Sequence, residues 1–195
     1  MEHVTDVFGT EIFKNASEFK SAKPIPLGIM DNFLPKDLAL SMYNESQTIP
    51  DEHWKTFTRN GSHMMEVNKM ELAPIAFNTL NYFHSSNFLK LLSEYTGITG
   101  LIPDPHLIGA GYSKSFNGDM LNVHTDFNWN DQLQLHRVLT FTLYLTPDWQ
   151  VDWKGALDFY DNKKENIVTT VDTLFNRCVI WQYNRFGYHG YAEPI

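Results

Sequence analysis

The segment Leu121–Asn130 reads "LNVHTDFNWN", with His124 and Asp126 separated by one residue and bracketed by Val123 and Phe127. In an extended chain, side chains two residues apart leave the same face of the strand. An imidazole nitrogen and a carboxylate oxygen placed in that way converge on one point, as ligands of a single metal ion do. Taken alone, the pair is poor evidence. With eight histidines and thirteen aspartates in the chain, chance supplies roughly half a match. His124 capping a turn, with Asp126 taking a surface hydrogen bond, explains the pair equally well.

A third donor lies further on, in "FGYHGYAEP". His189 follows the long apolar run "RCVIWQY" and is followed by Gly190. His124, Asp126 and His189 together make two neutral imidazoles and one carboxylate with three coordination positions left open. That is the facial set of non-haem Fe(II) oxygenases, in which co-substrate and oxygen bind side by side on one ion. A closed structural zinc site wants four protein ligands, commonly including thiolates, and the chain has a single cysteine, Cys178. His63, His84 and His106 have no carboxylate two residues further on, and read as loop, helix-end or core residues. His136, in "LQLHRV", reads as a strand-edge residue near enough to approach the site.

The elements that must position these side chains follow from the rest of the sequence. A chain of 195 residues suits one domain with a sizeable core. We expect that domain to run over 1–195, with N-terminal strands and supporting helices in 1–100 and the site-bearing core in 101–195. The net charge of -8 and the absence of any basic run exclude a general phosphate-binding surface, so no nucleic-acid partner is expected. Cys178 reads as a buried strand thiol and rules out a disulfide framework. "MEHVTDVFGTEIFK" lacks a basic region followed by an apolar one, so no secretory signal is expected. No apolar run reaches membrane-spanning length. The expectation is a cytoplasmic chain, monomer or homodimer, with no membrane partner.

"PIPLGIMDNFL" reads as a strand entering a turn, and "PKDLALSMYNESQ" as a helix with Pro35 near its first turn. "ELAPIAFNTLNYFHSSNFLKLLSEYTG" reads as two consecutive helices, broken near "HSSN" and stopped by Gly97. From Leu101 onward the texture changes to short runs rich in β-branched and aromatic residues. They are separated by "NGD", "TPDW", "DNKKEN" and "NRFG", which are turn chemistry. The fold class expected is mainly β with flanking helices, a sandwich or jelly roll. "HWKTFTRNGSHMMEVNKM" reads as a lid or substrate loop.

In that order and spacing, "IMDNFLP", "HTDFN", "HRVLTFTLYLTPDW", "WKGALDFYD", "FNRCVIWQ" and "YHGYAEPI" resemble the 2-oxoglutarate and Fe(II)-dependent oxygenases. The resemblance is to the prolyl 4-hydroxylase-like branch of bacteria and phages, and it runs from about Pro24 to the last residue. It implies a double-stranded β-helix with helices against one sheet, and His124, Asp126 and His189 as iron ligands. It implies Fe(II), 2-oxoglutarate and O2 as cofactor and co-substrates, with ascorbate as an accessory. The reaction implied couples decarboxylation of 2-oxoglutarate to succinate and CO2 with hydroxylation of a prolyl, peptidyl or small-molecule C–H bond. The partners are therefore a small-molecule co-substrate and a hydroxylation substrate that the sequence does not name. The protein's part in such chemistry is orientation and protection of a reactive centre. Phe127, Phe141, Phe159 and Trp181 are candidates for a water-excluding surround and serve equally as core.

The resemblance also implies that Tyr144, in "TLYL", hydrogen-bonds the distal carboxylate of 2-oxoglutarate. It gives Tyr112, in "GAGYSKSF", the same role at a slightly longer spacing from His124. Arg137 falls where the family often carries arginine, and reads either as a substrate or co-substrate contact or as a surface strand-end cation. One departure stands out. Relatives carry lysine or arginine roughly ten residues beyond the distal histidine, on a last strand, whereas this sequence ends at "HGYAEPI". A buried carboxylate needs a charge partner, ideally a bidentate arginine. The jelly roll is thus expected to lack its last strand. That leaves three outcomes open: weak 2-oxoglutarate binding, another cation such as Arg137, or a strand from a partner chain. The competing reading is a non-catalytic jelly-roll module that keeps the metal triad and has lost 2-oxoglutarate binding.

Overall fold

Alternation of side chains along two central strands determines how the molecule is layered. The computed structural model describes Phe13 and residues 15–59 and 62–195. The N-terminal segment expected to lack a secretory signal lies outside the described residues apart from Phe13, as do residues 60–61 of the expected lid. Strand β8 (Leu139–Tyr144) pairs antiparallel with β11 (Arg177–Gln182), and β11 pairs antiparallel with β1 (Leu27–Met30). This gives a three-stranded sheet in the order β1-β11-β8. Opposed residues share a face. Cys178 and Ile180 therefore point one way with Leu143 and Phe141, while Val179 and Trp181 point the other way with Thr142 and Thr140. Both faces of "RCVIWQ" are covered, which explains why its apolar residues run on without alternation.

The first face carries the helices. α1 (Ala16–Ser21), α2 (Lys36–Thr48), α3 (Pro74–Phe83) and α4 (Ser86–Thr96) surround a core that takes in Phe33, Phe83, Phe88, Cys178 and Ile180. Phe141 joins that core, its ring centroid 4.9 Å from Phe83 and 5.3 Å from Phe33. The helix boundaries follow local chemistry. Pro35 precedes α2, and Pro74 occupies the first turn of α3, where a missing N–H costs nothing. The Ser85 hydroxyl accepts from Phe88 N at 3.3 Å to start α4. Gly97, at φ 73°, ends it in the left-handed conformation.

The second face meets a four-stranded sheet in the order β10-β9-β12-β5. Its strands are β5 (Leu121–His124), β9 (Leu157–Tyr160), β10 (Ile167–Val171) and β12 (His189–Tyr191). Leu27, Val179 and Trp181 from the first sheet pack on Leu157, Phe159 and Val171 from the second. The result is a mainly β jelly roll with flanking helices, whose two sheets face each other without closing into a barrel. Gly190 lies where β12 meets β5. A Cβ there would sit 2.5 Å from the Leu121 carbonyl oxygen, so no larger residue allows this approach.

Two hairpins were not expected. The segment read as a lid contains β2 (Lys55–Arg59) and β3 (Ser62–Val67), which pair antiparallel and continue to β4 (Tyr112–Lys114). β6 (Trp129–Asn130) and β7 (Leu135–His136) form a short hairpin between β5 and β8. Among the described residues no helix is long and apolar enough to cross a membrane.

One buried acid joins the helical layer to the sheets. Glu45 of α2 accepts from Ile75 N at 2.7 Å and Ala76 N at 3.0 Å, two of the unpaired donors at the start of α3. Its charge also complements the positive end of that helix. Tyr112 of β4 brings its hydroxyl to the same carboxylate at 3.1 Å and to Met42 O at 2.9 Å. Glu45→Ala strips partners from buried groups and is expected to cost about 2–4 kcal/mol, read as a lowered urea midpoint. Tyr112→Phe is expected to cost about 1 kcal/mol and to leave any metal or keto-acid affinity unchanged.

Candidate metal centre

His124 is the last residue of β5, and His189 the first of β12, and the two stand directly opposite each other in the ladder. Their ring centroids are 4.6 Å apart. Each ring is oriented by its own backbone. His124 Nδ1 lies 2.8 Å from Asn122 O and His189 Nδ1 lies 2.9 Å from Gly187 O. A carbonyl only accepts, so each Nδ1 carries the proton and donates, which leaves both Nε2 lone pairs free in the neutral rings. Asp126 Oδ1 lies 3.9 Å from His124 Nε2 and 3.7 Å from His189 Nε2. One donor atom from each of the three residues lies within 4.8 Å of the other two.

The route to this convergence differs from the simple strand argument. β5 stops at His124, so Asp126 stands two residues beyond the strand, on the connection to β6. Thr140 holds it in place. The Thr140 hydroxyl donates to Asp126 Oδ2 at 2.7 Å, which leaves Oδ1 turned toward the two Nε2 atoms. Thr140 sits on the inward face of β8, opposite Trp181. Sequence reasoning missed it because an alternating strand carries several threonines and nothing distinguishes the one that meets Asp126.

The electrostatics suit a cation. Burial pushes the Asp126 carboxyl up. The neighbouring His189, the charge of Arg137 and the Thr140 hydroxyl outweigh it and hold the group well below the usual carboxylate range. For His124, burial and the neighbouring His189 lower the pKa, against the opposing pulls of Asn122 O and Asp126, so the neutral ring is favoured. Two neutral imidazoles with free Nε2 atoms and an ionised carboxylate with one free oxygen fit a divalent first-row ion. Trp181 lies edge-on to His189 at 5.1 Å and Phe159 lies at 5.8 Å, forming an apolar wall behind it.

The other singled-out residues divide. Tyr144 packs on the same inner core as Phe159 and Trp181, at the far end of β8 from Thr140. Burial raises its pKa, so it remains a proton donor. Its hydroxyl makes no hydrogen bond among the described residues. Tyr112 does not join the site. Its side chain is buried in the helix-facing core with its hydroxyl engaged by α2, because Glu45 supplies a stronger acceptor there. Arg137 stands at the Asp126 end, its guanidinium 4.6 Å from the Phe127 ring centre. It lies before β8 begins, with Tyr144 at the other end of that strand, roughly 17 Å of strand away from Leu139, so the two face different ends of the site.

Phe159 and Trp181 line the site, Phe141 belongs to the helical core, and Phe127 is 46% exposed. His63 meets Asp119, His84 ends α3, and His136 packs against Trp129 on the outer hairpin. His106 lies in the loop that Asp104 organises by accepting from His106 N and Ile108 N.

Two histidines and an aspartate gathered at one point of a jelly roll are a ligand set that fits a non-haem iron centre. Residues 110–195, which hold all three, match the family described as the 2OG-Fe(II) oxygenase superfamily. Its fold is similar to that of a prolyl hydroxylase from Trichoplax adhaerens, solved with a hypoxia inducible factor oxygen degradation domain peptide fragment. That likeness has a TM-score of 0.61 at 18% identity and covers 95% of this chain and 82% of that one. A Pseudomonas putida prolyl-4-hydroxylase gives a TM-score of 0.63 at 14% identity, covering 95% of this chain and 91% of the other. Prolyl 4-hydroxylase from Phytophthora capsici gives 0.63 at 15% identity, with 95% of this chain but 58% of that one covered. At these identities the likeness is one of fold. No curated protein matches the sequence.

Thr140→Val keeps the shape of the β8 side chain while freeing Asp126 to rotate. It is expected to lower divalent-metal affinity by about 10- to 100-fold, the usual effect of losing a partner that orients a ligand. Competition with a chelating dye measures this, and an unchanged affinity refutes the orienting role.

Proposed function

We propose that the chain is an Fe(II)- and 2-oxoglutarate-dependent dioxygenase that hydroxylates a C–H bond of a prolyl, peptidyl or small-molecule substrate. The reading is carried by the convergence of His124 Nε2, His189 Nε2 and Asp126 Oδ1 within 4.8 Å, with the back of each side chain already engaged. Those three atoms would hold the iron. When bound, Fe(II) with 2-oxoglutarate supplies the oxidation that turns keto acid, O2 and substrate C–H into succinate, CO2 and a hydroxylated product.

The chain's own residues then orient and protect. Asn122 O and Gly187 O keep each Nδ1 protonated and each Nε2 aimed inward. Thr140 keeps Asp126 from turning away. Trp181 and Phe159 keep water from the His189 side of the centre. Tyr144 donates its hydroxyl to the far carboxylate of 2-oxoglutarate, supported by its uncommitted hydroxyl on the inner core. The peptide in the Trichoplax neighbour makes a peptidyl substrate the form to try first.

Anaerobic addition of Fe(II) and then 2-oxoglutarate is expected to raise the weak visible charge-transfer band of a chelated keto acid. His189→Ala is expected to abolish it, and succinate should appear once oxygen is admitted. No band in the wild type, or a band untouched by His189→Ala, refutes the proposal and favours a jelly-roll module without 2-oxoglutarate binding. Tyr144→Phe is expected to weaken 2-oxoglutarate by about 10-fold or more, the loss of a hydrogen bond to a charged group, with Fe(II) affinity preserved.

A further inference from the structure

Tyr191 stands two residues beyond His189 on β12, and residues two apart in a strand leave the same face. The pairing with β5 slips between them. The extra residue lies on β5, where His124 and Leu121 are the partners, so β12 keeps its alternation. Tyr191 therefore faces the interior that holds His189, Phe159 and Tyr144.

Its hydroxyl meets that of Ser115, the residue after β4, at 2.7 Å. When Ser115 donates this bond, the Tyr191 proton is left for a third group, and no acceptor takes it among the described residues. Asp119 acts on Tyr191 by its charge, but its two carboxylate oxygens are taken up by His63 and by Phe116 N. Tyr144 completes the cluster. Burial above all, and then the neighbouring Tyr191 phenol, raise its pKa, which places both phenols at the same end of the interior. The cation whose charge reaches Tyr144 is Arg177, and it is engaged elsewhere. It donates to Asp31 at 2.6 and 2.9 Å and to Asp172 O at 3.1 Å.

Resting on the oxygenase reading above, we infer that Tyr191, backed by Ser115, joins Tyr144 in holding the far end of the keto acid, which is then gripped by neutral hydroxyls and not by a cation. A guanidinium only donates, whereas a hydroxyl both donates and accepts. Such a clamp takes a carboxylate through two charge-assisted bonds. It also takes a primary amide, whose carbonyl accepts from one phenol while its N–H donates to the other. The far end is thus read for hydrogen bonding more than for charge.

The test is calorimetric titration of the Zn(II)-loaded full chain, which needs no turnover. The ligands are 2-oxoglutarate, its analogue with a primary amide at the far end, and oxalate, which chelates a metal but has no far end. Tyr191→Phe is expected to weaken 2-oxoglutarate by roughly tenfold, the loss of a hydrogen bond to a charged group. Ser115→Ala is expected to weaken it in the same direction by a smaller factor. Oxalate is expected to bind both variants as it binds the wild type, which damage to the metal centre would not allow. The amide is expected to bind the wild type within about tenfold of 2-oxoglutarate, since each hydroxyl keeps a partner. A Tyr191→Phe variant that leaves 2-oxoglutarate unchanged, or weakens oxalate equally, overturns the inference, as does an amide that binds more weakly than that. Those results leave the oxygenase reading standing, because the wild type still binds the keto acid. A wild type that does not bind 2-oxoglutarate overturns both.

Discussion

The opposition of His189 and His124 across β12 and β5 is the constraint on which the rest of the site depends. Two imidazoles 4.6 Å apart in a buried site cannot readily both be charged, since paired positive charges in a water-poor interior repel strongly. The protein meets this condition with backbone. Each Nδ1 proton is spent on a carbonyl two residues earlier in the chain, and the remaining lone pairs are left facing one carboxylate oxygen. Gly190 makes the approach of the two strands possible, because any Cβ there would collide with the Leu121 carbonyl. The register, the tautomer and the glycine are thus parts of a single arrangement.

The second determinant is that β8 and β11 present a different chemistry on each face. Outward, Phe141, Cys178 and Ile180 lock into the aromatic core built by the helices. Inward, Thr140, Thr142, Val179 and Trp181 meet the site-bearing sheet. Rigidity on the outer face is what makes position on the inner face meaningful: Thr140 can orient Asp126 only if β8 itself does not slide, and close packing of rings on its back prevents that. Glu45 extends the same logic by tying α2, α3 and β4 together through one buried carboxylate.

Much of this was legible in the sequence, and the gaps have physical causes. His124, Asp126 and His189 were singled out because few residue types bind metals, although the two-residue spacing alone was weak evidence, and the structure brings the three side chains together. The helices from Lys36 and from Pro74 were legible through proline, serine and glycine at their ends. Asp126 was placed by the right spacing for an incomplete reason, since the strand ends at His124 and the Thr140 bond does the remaining work. Tyr112 was misplaced because its spacing from His124 says nothing about Glu45, which lies far away in sequence and captures its hydroxyl. The β2–β3 hairpin was overlooked although Asn60 and Gly61 stand between its strands. That dipeptide is a strong hairpin signal, here flanked by charged and methionine-rich runs that lack clean alternation.

The layout of β8 also bears on what the centre can accept. Thr140 and Tyr144 share its inner face, four residues or about 13 Å apart along the strand. On the proposed reading, a diacid with one end at the histidines sets its other carboxylate against the Tyr144 hydroxyl, since a buried carboxylate without a donor is costly in a low-dielectric pocket. Arg137 lies outside this span, before the strand begins. A single strand therefore separates Arg137 from Tyr144, and the cation that does stand beside Tyr144, its cross-strand neighbour Arg177, is already held by Asp31 in a two-point contact of 2.6 and 2.9 Å.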